Sequence, residues 1–567
     1  MCQTRFNMVP QNVIRYFKDK KIFIAGINCE DEKELTGRDI VPLFKKTFKK
    51  TILFDLRKNY FLYGREILNN KFIEILKNEN PEYIFISLGY DELSVETLDA
   101  IKKICPKTKI ISQCGDDNWR FEDWSRYFAL FSDYYLTSEK NPSYFLEDGI
   151  KNIFFWYGVD TNFFKPLNLE KTQDVSFVGT PMVDRYNYLK FLLENKINLR
   201  IFSGGWGIYP DFKKIYGGPL TNEDYLKKIN ETKLNLCFSK GFLAAKKNNQ
   251  FKARIFEVSA CKSFLLLENY PDLKYYFKKN YNKIIFKTQE ELLEKIKYYL
   301  ENTKEREELT EYFYNEVLKN YSLEKQFEKL LKILFKEKNK IRNRGLPKLP
   351  EKIIEINEED IKKGINFLKE KIKKVDYISF KKGDSMPSPY KDFFQIYSLK
   401  KSKKEISCCD YYIYSNKIGD YMHFMANRSF KTVSKKKYFF SFLDINQLAV
   451  TRKFFFKNIN KFEKIFANQE GINMLNEDNT VFVSIPLIRI KTFKIKGGDI
   501  EKAFRLKFLD RLFPALKSKN PFLDEYFNNF LKEVFLDRNI FLLKCSFKTL
   551  LNKSNWYRLL GLRNAIT

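Results

Sequence analysis

The chain has 567 residues, more than the ~250–300 at which a single hydrophobic core stops growing, so several domains are expected. Hydrophobic residues make up 44% of the chain and charged residues 31%, which excludes a largely disordered protein. The formal net charge of +31 favours a polyanionic or phosphorylated partner, and the excess of Lys and Arg falls after the first 150 residues.

The histidine and cysteine content limits the kinds of site that the chain can hold. His423 is the only histidine, so a His-rich metal site is excluded and a structural role is expected for this residue. The 9 cysteines lack metal-ligand spacing, and the N-terminal residues do not have the pattern of a signal peptide. A cytoplasmic protein is therefore expected, with at most peripheral contact at the anionic inner face of the membrane. No stretch predicts a membrane-spanning helix, since none approaches ~18–20 uninterrupted apolar residues.

Short apolar runs alternate with helical patterns through the first part of the chain. Buried strands are predicted at 21–27, 51–55, 83–88, 109–114, 134–137 and 153–157. Helical patterns such as 71–78 and 95–104 lie between them. Because this alternation is typical of βαβ units, we predict a doubly wound α/β domain with a parallel sheet over residues 1–165.

The alternation restarts after Pro166, which marks a predicted domain boundary. Strands are predicted at 175–178, 198–203, 234–239, 264–268 and 283–287, and helices at 186–194, 222–231, 251–261, 290–300 and 304–336. This pattern predicts a second doubly wound α/β domain over residues 166–337. Open α/β sheets bind ligands at the carboxyl ends of their strands, so two such domains in tandem predict a site in the cleft between them.

A less regular region follows the two α/β domains. The basic segment 338–352, interrupted by Pro and Gly, is predicted to be a linker. Strands are predicted at 376–380, 410–414 and 481–490, in an α+β region over 353–500, and residues 501–567 are predicted to be mostly helical.

The strongest charged motif lies at the start of the predicted helix 251–261. Lys252 and Arg254 would place positive charge at a helix N-terminus, which favours an anion. Glu257 lies one turn further on, where a carboxylate can accept both hydroxyls of a ribose. The motif therefore predicts a nucleotide-sugar pocket, although such spacing more often belongs to an ordinary helix with a solvated charged face.

Glycine turns surround this motif in a fixed order. The sequence FVGT ends one strand at Gly179 and is followed by Arg185, and IFSGGW ends the next strand at Gly204 and Gly205. LNLCFS precedes the Lys252 helix, and the first domain contributes the sequences GDD and YGVD. In this order, the chain from about residue 20 to about residue 335 resembles the CgeB-like (spore maturation protein) branch of glycosyltransferases with the GT-B fold.

The resemblance implies two tandem Rossmann-like doubly wound domains that move a sugar from a nucleotide-sugar donor to a glycan or lipid-linked glycan acceptor in surface polysaccharide assembly. The residues implied in donor binding are Gly179, Gly204, Gly205, Lys252, Arg254 and Glu257. No cofactor or metal is expected, because the basic side chains can offset the diphosphate charge. The wider retaining GT-B pattern has a second Glu where this chain has Asn249, which leaves the stereochemical outcome open.

Two aspartates are the candidates for a catalytic base. Asp116 and Asp117 follow a predicted strand of the first domain, where a carboxylate facing the cleft can deprotonate an acceptor hydroxyl. The alternative role for either residue is to cap the next helix.

The region after the linker resembles the second half of a GT-A-fold, family-2-type glycosyltransferase. Its predicted strand 376–380 leads to the sequence KKGDS, in which Lys382 takes the place of the first Asp of a metal-binding Asp-x-Asp. A degenerate, inactive module is therefore expected. The alternative function for the whole chain is an inactive transferase scaffold that binds nucleic acid or an anionic surface through its basic C-terminal half. Nucleic acid is the less expected partner, because Lys and Arg are dispersed among acidic residues.

Overall fold

The computed structural model contains three β-sheets. It describes residues 9–32, 36–89, 92–115, 117–121, 125–181, 184–240, 249–340, 342, 344–346, 351–382, 386–415, 419–423, 448–462 and 479–491. The predicted helical tail 501–567 lies outside these ranges. The first two sheets are wholly parallel and the third is mixed, which confirms the predicted fold class of two Rossmann-like domains and an α+β region.

The first domain is built on a six-stranded parallel sheet with the order β2-β1-β3-β4-β5-β6. Its strands are β1 (Lys21–Gly26), β2 (Lys50–Asp55), β3 (Tyr83–Leu88), β4 (Lys109–Cys114), β5 (Tyr134–Thr137) and β6 (Ile153–Phe155). Its helices are α1 (Gln11–Lys18), α2 (Val41–Thr47), α3 (Leu56–Glu79), α4 (Val95–Ile104), α5 (Asp117–Arg120), α6 (Arg126–Phe131) and α7 (Ser143–Glu147), and a π-helical turn, Thr36–Ile40, precedes α2. Side-chain caps start two of these helices, Asp55 for α3 and Ser94 for α4.

The second domain is built on a five-stranded parallel sheet with the order β11-β10-β9-β7-β8. Its strands are β7 (Gln173–Val178), β8 (Leu199–Phe202), β9 (Thr232–Cys237), β10 (Phe264–Glu268) and β11 (Ile285–Phe286). Its helices are α8 (Arg185–Glu194), α9 (Asn222–Glu231), α10 (Arg254–Ala260), α11 (Gln289–Glu301) and α12 (Thr303–Asn320). Short 3-10 turns lie at Trp206–Ile208, Pro210–Phe212, Pro271–Tyr275 and Tyr281–Ile284.

The predicted helix 304–336 is two helices, because the chain turns back to the first domain at residue 321. Ser322 caps α13 (Leu323–Lys336) by accepting a hydrogen bond from the backbone of Lys325. The apolar face of α13, including Phe327 and Leu331, is buried against one face of the first sheet. The last helix of the predicted second domain therefore packs on the first domain.

Side chains from both domains meet at a joint beside this crossing. Tyr270 donates a hydrogen bond of 2.8 Å to the buried carboxylate of Glu139, and Tyr276 donates one of 2.6 Å to the carbonyl of Ser138. The Lys140 ammonium lies 4.6 Å from the ring centroid of Tyr321. These contacts hold the two sheets in a defined relative position across the predicted cleft.

The third sheet has the order β12-β13-β17-β15-β18-β14, with β16 paired to β15. Its strands are β12 (Ile353–Asn357), β13 (Tyr377–Lys381), β14 (Met386–Pro387), β15 (Ile406–Ser415), β16 (Gly419–His423), β17 (Leu448–Thr451) and β18 (Thr480–Lys491). Its helices are α14 (Glu358–Lys362), α15 (Ile365–Lys371), α16 (Lys391–Ser402) and α17 (Arg452–Lys457). The three strands predicted from the sequence correspond to β13, β15 and β18.

The third region is attached to the first domain through α16. Phe394 of α16 is fully buried in the first-domain core, and its ring meets Tyr127 edge-on with 4.4 Å between centroids. The Asp148 carboxylate forms a buried ion pair of 2.5 Å with the Arg126 guanidinium, and it also contacts the ammonium group of Lys401 in α16. Part of the predicted linker is docked as well, since Arg344 donates a 3.0 Å hydrogen bond to the carbonyl of Thr108.

Candidate functional site

The charged motif of Lys252, Arg254 and Glu257 lies at α10, at the carboxyl edge of the second sheet. Arg254 and Glu257 are on the helix, and Lys252 precedes it. The apolar residues Ile255, Phe256 and Val258 turn one face of this helix into the domain core. Because the core takes these positions, Arg254 and Glu257 are left half-buried on the opposite face. The structure therefore brings Arg254 and Glu257 together, as the sequence predicts.

A tyrosine of the neighbouring helix α9 joins the two charged residues. The Tyr225 hydroxyl donates a hydrogen bond of 2.8 Å to Oε2 of Glu257 and accepts one of 3.2 Å from Nε of Arg254. Burial raises the pKa of Glu257 above its ordinary value, and the Tyr225 hydrogen bond and the Arg254 charge oppose that rise. The carboxylate is thus supported by a donor and a cation at the floor of the cleft.

A second guanidinium group lies close to Arg254. The Cζ atoms of Arg185 and Arg254 lie 5.7 Å and 5.6 Å from the centroid of the Phe177 ring. Arg185 is buried and donates hydrogen bonds to the carbonyls of Thr180 and Lys240, at 3.0 Å and 3.3 Å. Burial, together with the like charge of Arg254, lowers the pKa of Arg185 to about 10. This edge of the sheet is therefore strongly electropositive.

Lys252 and Lys240 make local contacts at the same edge. The Lys252 ammonium donates a hydrogen bond to the side-chain oxygen of Gln250, two residues before it. The Lys240 ammonium pairs with Glu268 at 2.9 Å and with Asp184 at 2.5 Å, and these partners raise its pKa. The predicted helix 251–261 begins only at Arg254, so Lys252 lies before the helix, not on its first turn, while Lys240 is paired with carboxylates.

Two of the predicted glycines have a clear backbone role. A Cβ atom added to Gly179 would lie 2.6 Å from the Phe177 ring. The Gly179 carbonyl accepts a 2.5 Å hydrogen bond from the Trp206 indole. Gly205 has φ of 94°, in the left-handed region that favours glycine. Gly204 lies beside it, half-buried, in the same turn after β8. These turns keep the backbone open at the carboxyl ends of β7 and β8.

The first domain faces this site with Arg38 and Asp39, which the sequence analysis did not select. Both lie on the π-helical turn after β1, and two nitrogens of the Arg38 guanidinium contact the two oxygens of the Asp39 carboxylate. The Arg38 guanidinium lies 4.1 Å from the centroid of Phe163, at the entry to the second domain. The charge of Arg38 lowers the pKa of Glu257 and that of Asp39 raises it, so both groups act on Glu257 from the first domain. Their position after the carboxyl end of the first strand was the available signal.

Asp117 lies in the core of the first domain rather than in the cleft. The residue is fully buried, and the Tyr135 hydroxyl donates a 2.6 Å hydrogen bond to its carboxylate. Burial raises the pKa of Asp117 to about 6, while Ser125 and Thr137 beside it oppose the rise. An acceptor hydroxyl cannot reach this carboxylate directly, so the position favours a structural role. Asp116 lies outside the described residues, and its role as a base stays a prediction.

Three other residues named from the sequence have these positions. Asn249 donates a hydrogen bond to the carbonyl of Asn269. Lys382 follows β13 and lies 3.9 Å from Glu358. His423 ends β16. No cluster of three or more metal-ligating side chains, and no helix long and apolar enough to cross a membrane, is present within the described ranges.

Comparison with known proteins finds a similarity for part of the chain. Residues 185–332 match the family model described as Glycosyl transferase-like. The matched part of the second domain is therefore similar to glycosyltransferases. The match covers α8 to α13 and therefore includes Arg185, Arg254 and Glu257. No curated protein shows significant similarity to the chain.

Solved glycosyltransferases are similar to somewhat more than half of the chain. A glycosyltransferase from Rickettsia africae is 12% identical, with 57% of this chain and 100% of that chain covered and a TM-score of 0.41. Anabaena HepE, in complex with UDP and glucose, is 10% identical, with 56% and 100% covered and a TM-score of 0.41. T4 phage β-glucosyltransferase is 14% identical, with 56% and 98% covered and a TM-score of 0.36.

The glycosyl transferase-like domain and the two Rossmann-like sheets confirm the prediction of a glycosyltransferase of the GT-B type. The finer resemblance to the CgeB-like branch and the resemblance of the third region to a GT-A domain stay predictions. The domain boundaries and the roles of the individual site residues also stay predictions.

Proposed function

We propose that the chain transfers a sugar from a nucleotide-sugar donor, bound by the second domain, to an acceptor held between the two domains. The observation that carries this proposal is the position of Arg185 and Arg254 on the Phe177 ring. Neither guanidinium forms an ion pair with a carboxylate in the described part of the chain. The charge of Arg254 lowers the pKa of Arg185, so the two cations repel each other, and an anion that bridges them is favoured.

A nucleoside diphosphate satisfies both halves of the site. Its diphosphate offers paired oxygens, which the planar guanidinium groups of Arg185 and Arg254 can bind in bidentate fashion. Glu257 lies beside them and can accept a hydrogen bond from the ribose. The half-buried position of Glu257 supports this role, since a hydrogen bond to a charged group is strongest where water is partly excluded.

The acceptor is proposed on coarser grounds. The resemblance to CgeB-like glycosyltransferases supports a glycan or lipid-linked glycan of surface polysaccharide, and the excess positive charge of the chain favours an acidic acceptor or an anionic surface. Asp116 is proposed as the base that takes the proton of the acceptor hydroxyl. Asp39 is a second carboxylate of the first domain to consider, because its charge raises the pKa of Glu257.

The proposal is tested by measuring the thermal unfolding of the full chain with a panel of nucleoside diphosphates and nucleoside monophosphates. We expect one nucleoside diphosphate to raise the melting temperature more than its monophosphate, because the two arginines bind the second phosphate. Hydrolysis of the matching nucleotide sugars then identifies the donor. If no nucleotide shifts the melting temperature, the chain is not a nucleotide-sugar transferase, and the inactive scaffold becomes the better account.

A further inference from the structure

Tyr225 is hydrogen-bonded to one of the two carboxylate oxygens with which Glu257 would bind a ribose. The Tyr225 hydroxyl donates to Oε2 of Glu257 at 2.8 Å, and no described residue is hydrogen-bonded to the other oxygen, Oε1. A ribose has two neighbouring hydroxyls, and a carboxylate with both oxygens free can accept from each. Each carboxylate oxygen has two lone pairs, so Oε2 keeps one acceptor position beside Tyr225, while Oε1 meets no competing donor among the described residues. A ribose hydroxyl is therefore favoured at Oε1 over Oε2.

The surroundings of Tyr225 fix its hydroxyl in this position. Its helix begins at Thr221, whose side chain accepts a hydrogen bond from the backbone of Asp224. The ring of Phe164 meets the Tyr225 ring edge-on, with 6.0 Å between centroids. Arg254 donates to the hydroxyl oxygen at 3.2 Å, so the hydroxyl proton is directed at Glu257. Burial raises the pKa of the phenol well above its ordinary value, which keeps it a donor at neutral pH.

We propose that Tyr225 is a positioning residue that orients Glu257 toward one ribose hydroxyl and so sets the preference of the site for ribonucleotides over deoxyribonucleotides. This inference rests on the proposed function, because it concerns the same nucleotide pocket. Tyr225 acts through Glu257 and does not itself need to touch the donor. It also separates Glu257 from Arg254, so the guanidinium is left for the diphosphate.

Removal of the Tyr225 hydroxyl has two physical consequences. Oε2 of Glu257 loses its hydrogen-bond donor, and Nε of Arg254 loses its acceptor. The two charged side chains are then free to pair with each other directly, which turns the carboxylate away from the ribose. The expected result is a loss of ribose recognition, with a smaller change in the binding of a nucleotide that lacks the recognised hydroxyl.

The test compares binding of a ribonucleotide with binding of its deoxy analogues. Titration calorimetry on the full chain uses UDP, or the diphosphate that gives the largest thermal shift, and its 2′-deoxy and 3′-deoxy forms. In the wild-type protein we expect one deoxy form to bind about tenfold more weakly, the size of one hydrogen bond to a charged group. In Tyr225→Phe this ratio should fall toward one. Tyr299→Phe is the matched control, because it removes a buried hydroxyl that donates to the Lys283 carbonyl elsewhere in the same domain.

A purely structural role for Tyr225 predicts a different outcome. Tyr225→Phe would then weaken the ribonucleotide and both deoxy forms by the same factor, and the unchanged ratio would overturn the inference. If Tyr225→Phe does not fold, Glu257→Gln, which keeps the shape of the side chain that Tyr225 orients, is measured in its place. Its ratio should also fall toward one, and an unchanged ratio would contradict the inference. If the wild-type protein binds UDP and its two deoxy forms with equal affinity, this inference alone is overturned. A wild-type protein that binds no nucleoside diphosphate overturns the proposed function, and this inference with it.

Discussion

The two parallel-sheet domains differ in where their cores come from. The core of the second domain is formed by residues of one continuous stretch, from Val159 to Tyr321. The first domain buries one face of its sheet under α13 and includes Phe394 of α16 in the core on the other face. Two domains of the same fold class therefore reach stability differently. The one that carries the donor residues is self-contained, and the other is completed by later parts of the chain.

The charged residues at the carboxyl edges of the two sheets also differ, in how far their side chains are buried. In the second domain Arg254 and Glu257 are half-buried and face the cleft. In the first domain the carboxylate of Asp117 points into the core. A strand end locates a residue near a functional edge, but the packing of the following helix decides whether its side chain faces ligand or core.

The largest expected effect is on the folding of separated fragments. A fragment of residues 159–321 keeps its whole core, so we expect a cooperative thermal transition in circular dichroism. A fragment of residues 1–157 loses α13 and α16 and exposes both faces of its sheet, so we expect no cooperative transition. A cooperative transition in the shorter fragment would show that the first domain does not depend on the later chain.

Phe394→Ala sharpens the comparison within the intact chain. Phe394 is fully buried, and truncation of a buried Phe costs about 3–5 kcal/mol. Hydrogen exchange should rise in the first domain and the third region and stay unchanged in the second domain. Phe367→Ala is the control, since Phe367 is 37% exposed and its truncation should cost much less. Faster exchange confined to the second domain would contradict this account.

Asp117→Asn tests the buried carboxylate through its pH dependence. The folded chain holds the pKa of Asp117 at about 6, above its ordinary value, so the folded state binds this proton more tightly than the unfolded state. The stability that this proton contributes is present at pH 4 and is lost as the pH rises through about 6. Relative to wild type, the Asn variant should therefore gain up to about 3 kcal/mol in unfolding free energy between pH 4 and pH 7.

The same variant separates a structural role of Asp117 from a catalytic one. If the residue is structural, Asp117→Asn should hydrolyse the nucleotide sugar at a rate close to that of wild type. A folded variant that binds the donor but has lost activity by orders of magnitude would restore Asp117 as the base.

The smallest expected effect is that of a chelator. Arg185 and Arg254 supply positive charge where a diphosphate would bind, so we expect the hydrolysis of nucleotide sugar to be unchanged by EDTA. The resemblance of the third region to a GT-A domain, in which Lys382 would replace a metal-binding carboxylate, stays a prediction that the same experiment tests. If EDTA stops the reaction and manganese restores it, the third region is the working enzyme and the roles of the two regions are reversed.

The sequence predicted most elements of the two parallel sheets because their strands are continuous apolar runs. It predicted the bounds of α4 and α9 as they are observed. It missed the part of α3 before residue 71, a stretch with a weak apolar pattern that packs through Leu56 and Leu68. It also joined α12 to α13, because the break at Ser322 depends on a backbone bridge to Val159 that only the tertiary fold creates.

The candidate site was predicted only where its residues are close together in the sequence. Arg254 and Glu257 lie three residues apart on one helix, and such local spacing can be read from a sequence. Arg38 and Asp39 lie on an irregular turn without periodicity, so their position after the first strand was the one signal that the sequence offered for them. The Tyr225 hydrogen bonds join two helices that are distant in the chain, and no sequence pattern indicates them.

The central claim is that the second domain binds a nucleoside diphosphate through Arg254. The most direct measurement is the affinity of that diphosphate for the full chain and for Arg254→Ala, by titration calorimetry. We expect roughly ten- to a hundredfold weaker binding in the variant, as for the loss of hydrogen bonds from a charged group. The control Arg306→Ala removes a half-buried arginine that donates to the Tyr299 carbonyl, and it should bind like wild type. Equal affinity in wild type and Arg254→Ala would contradict the claim.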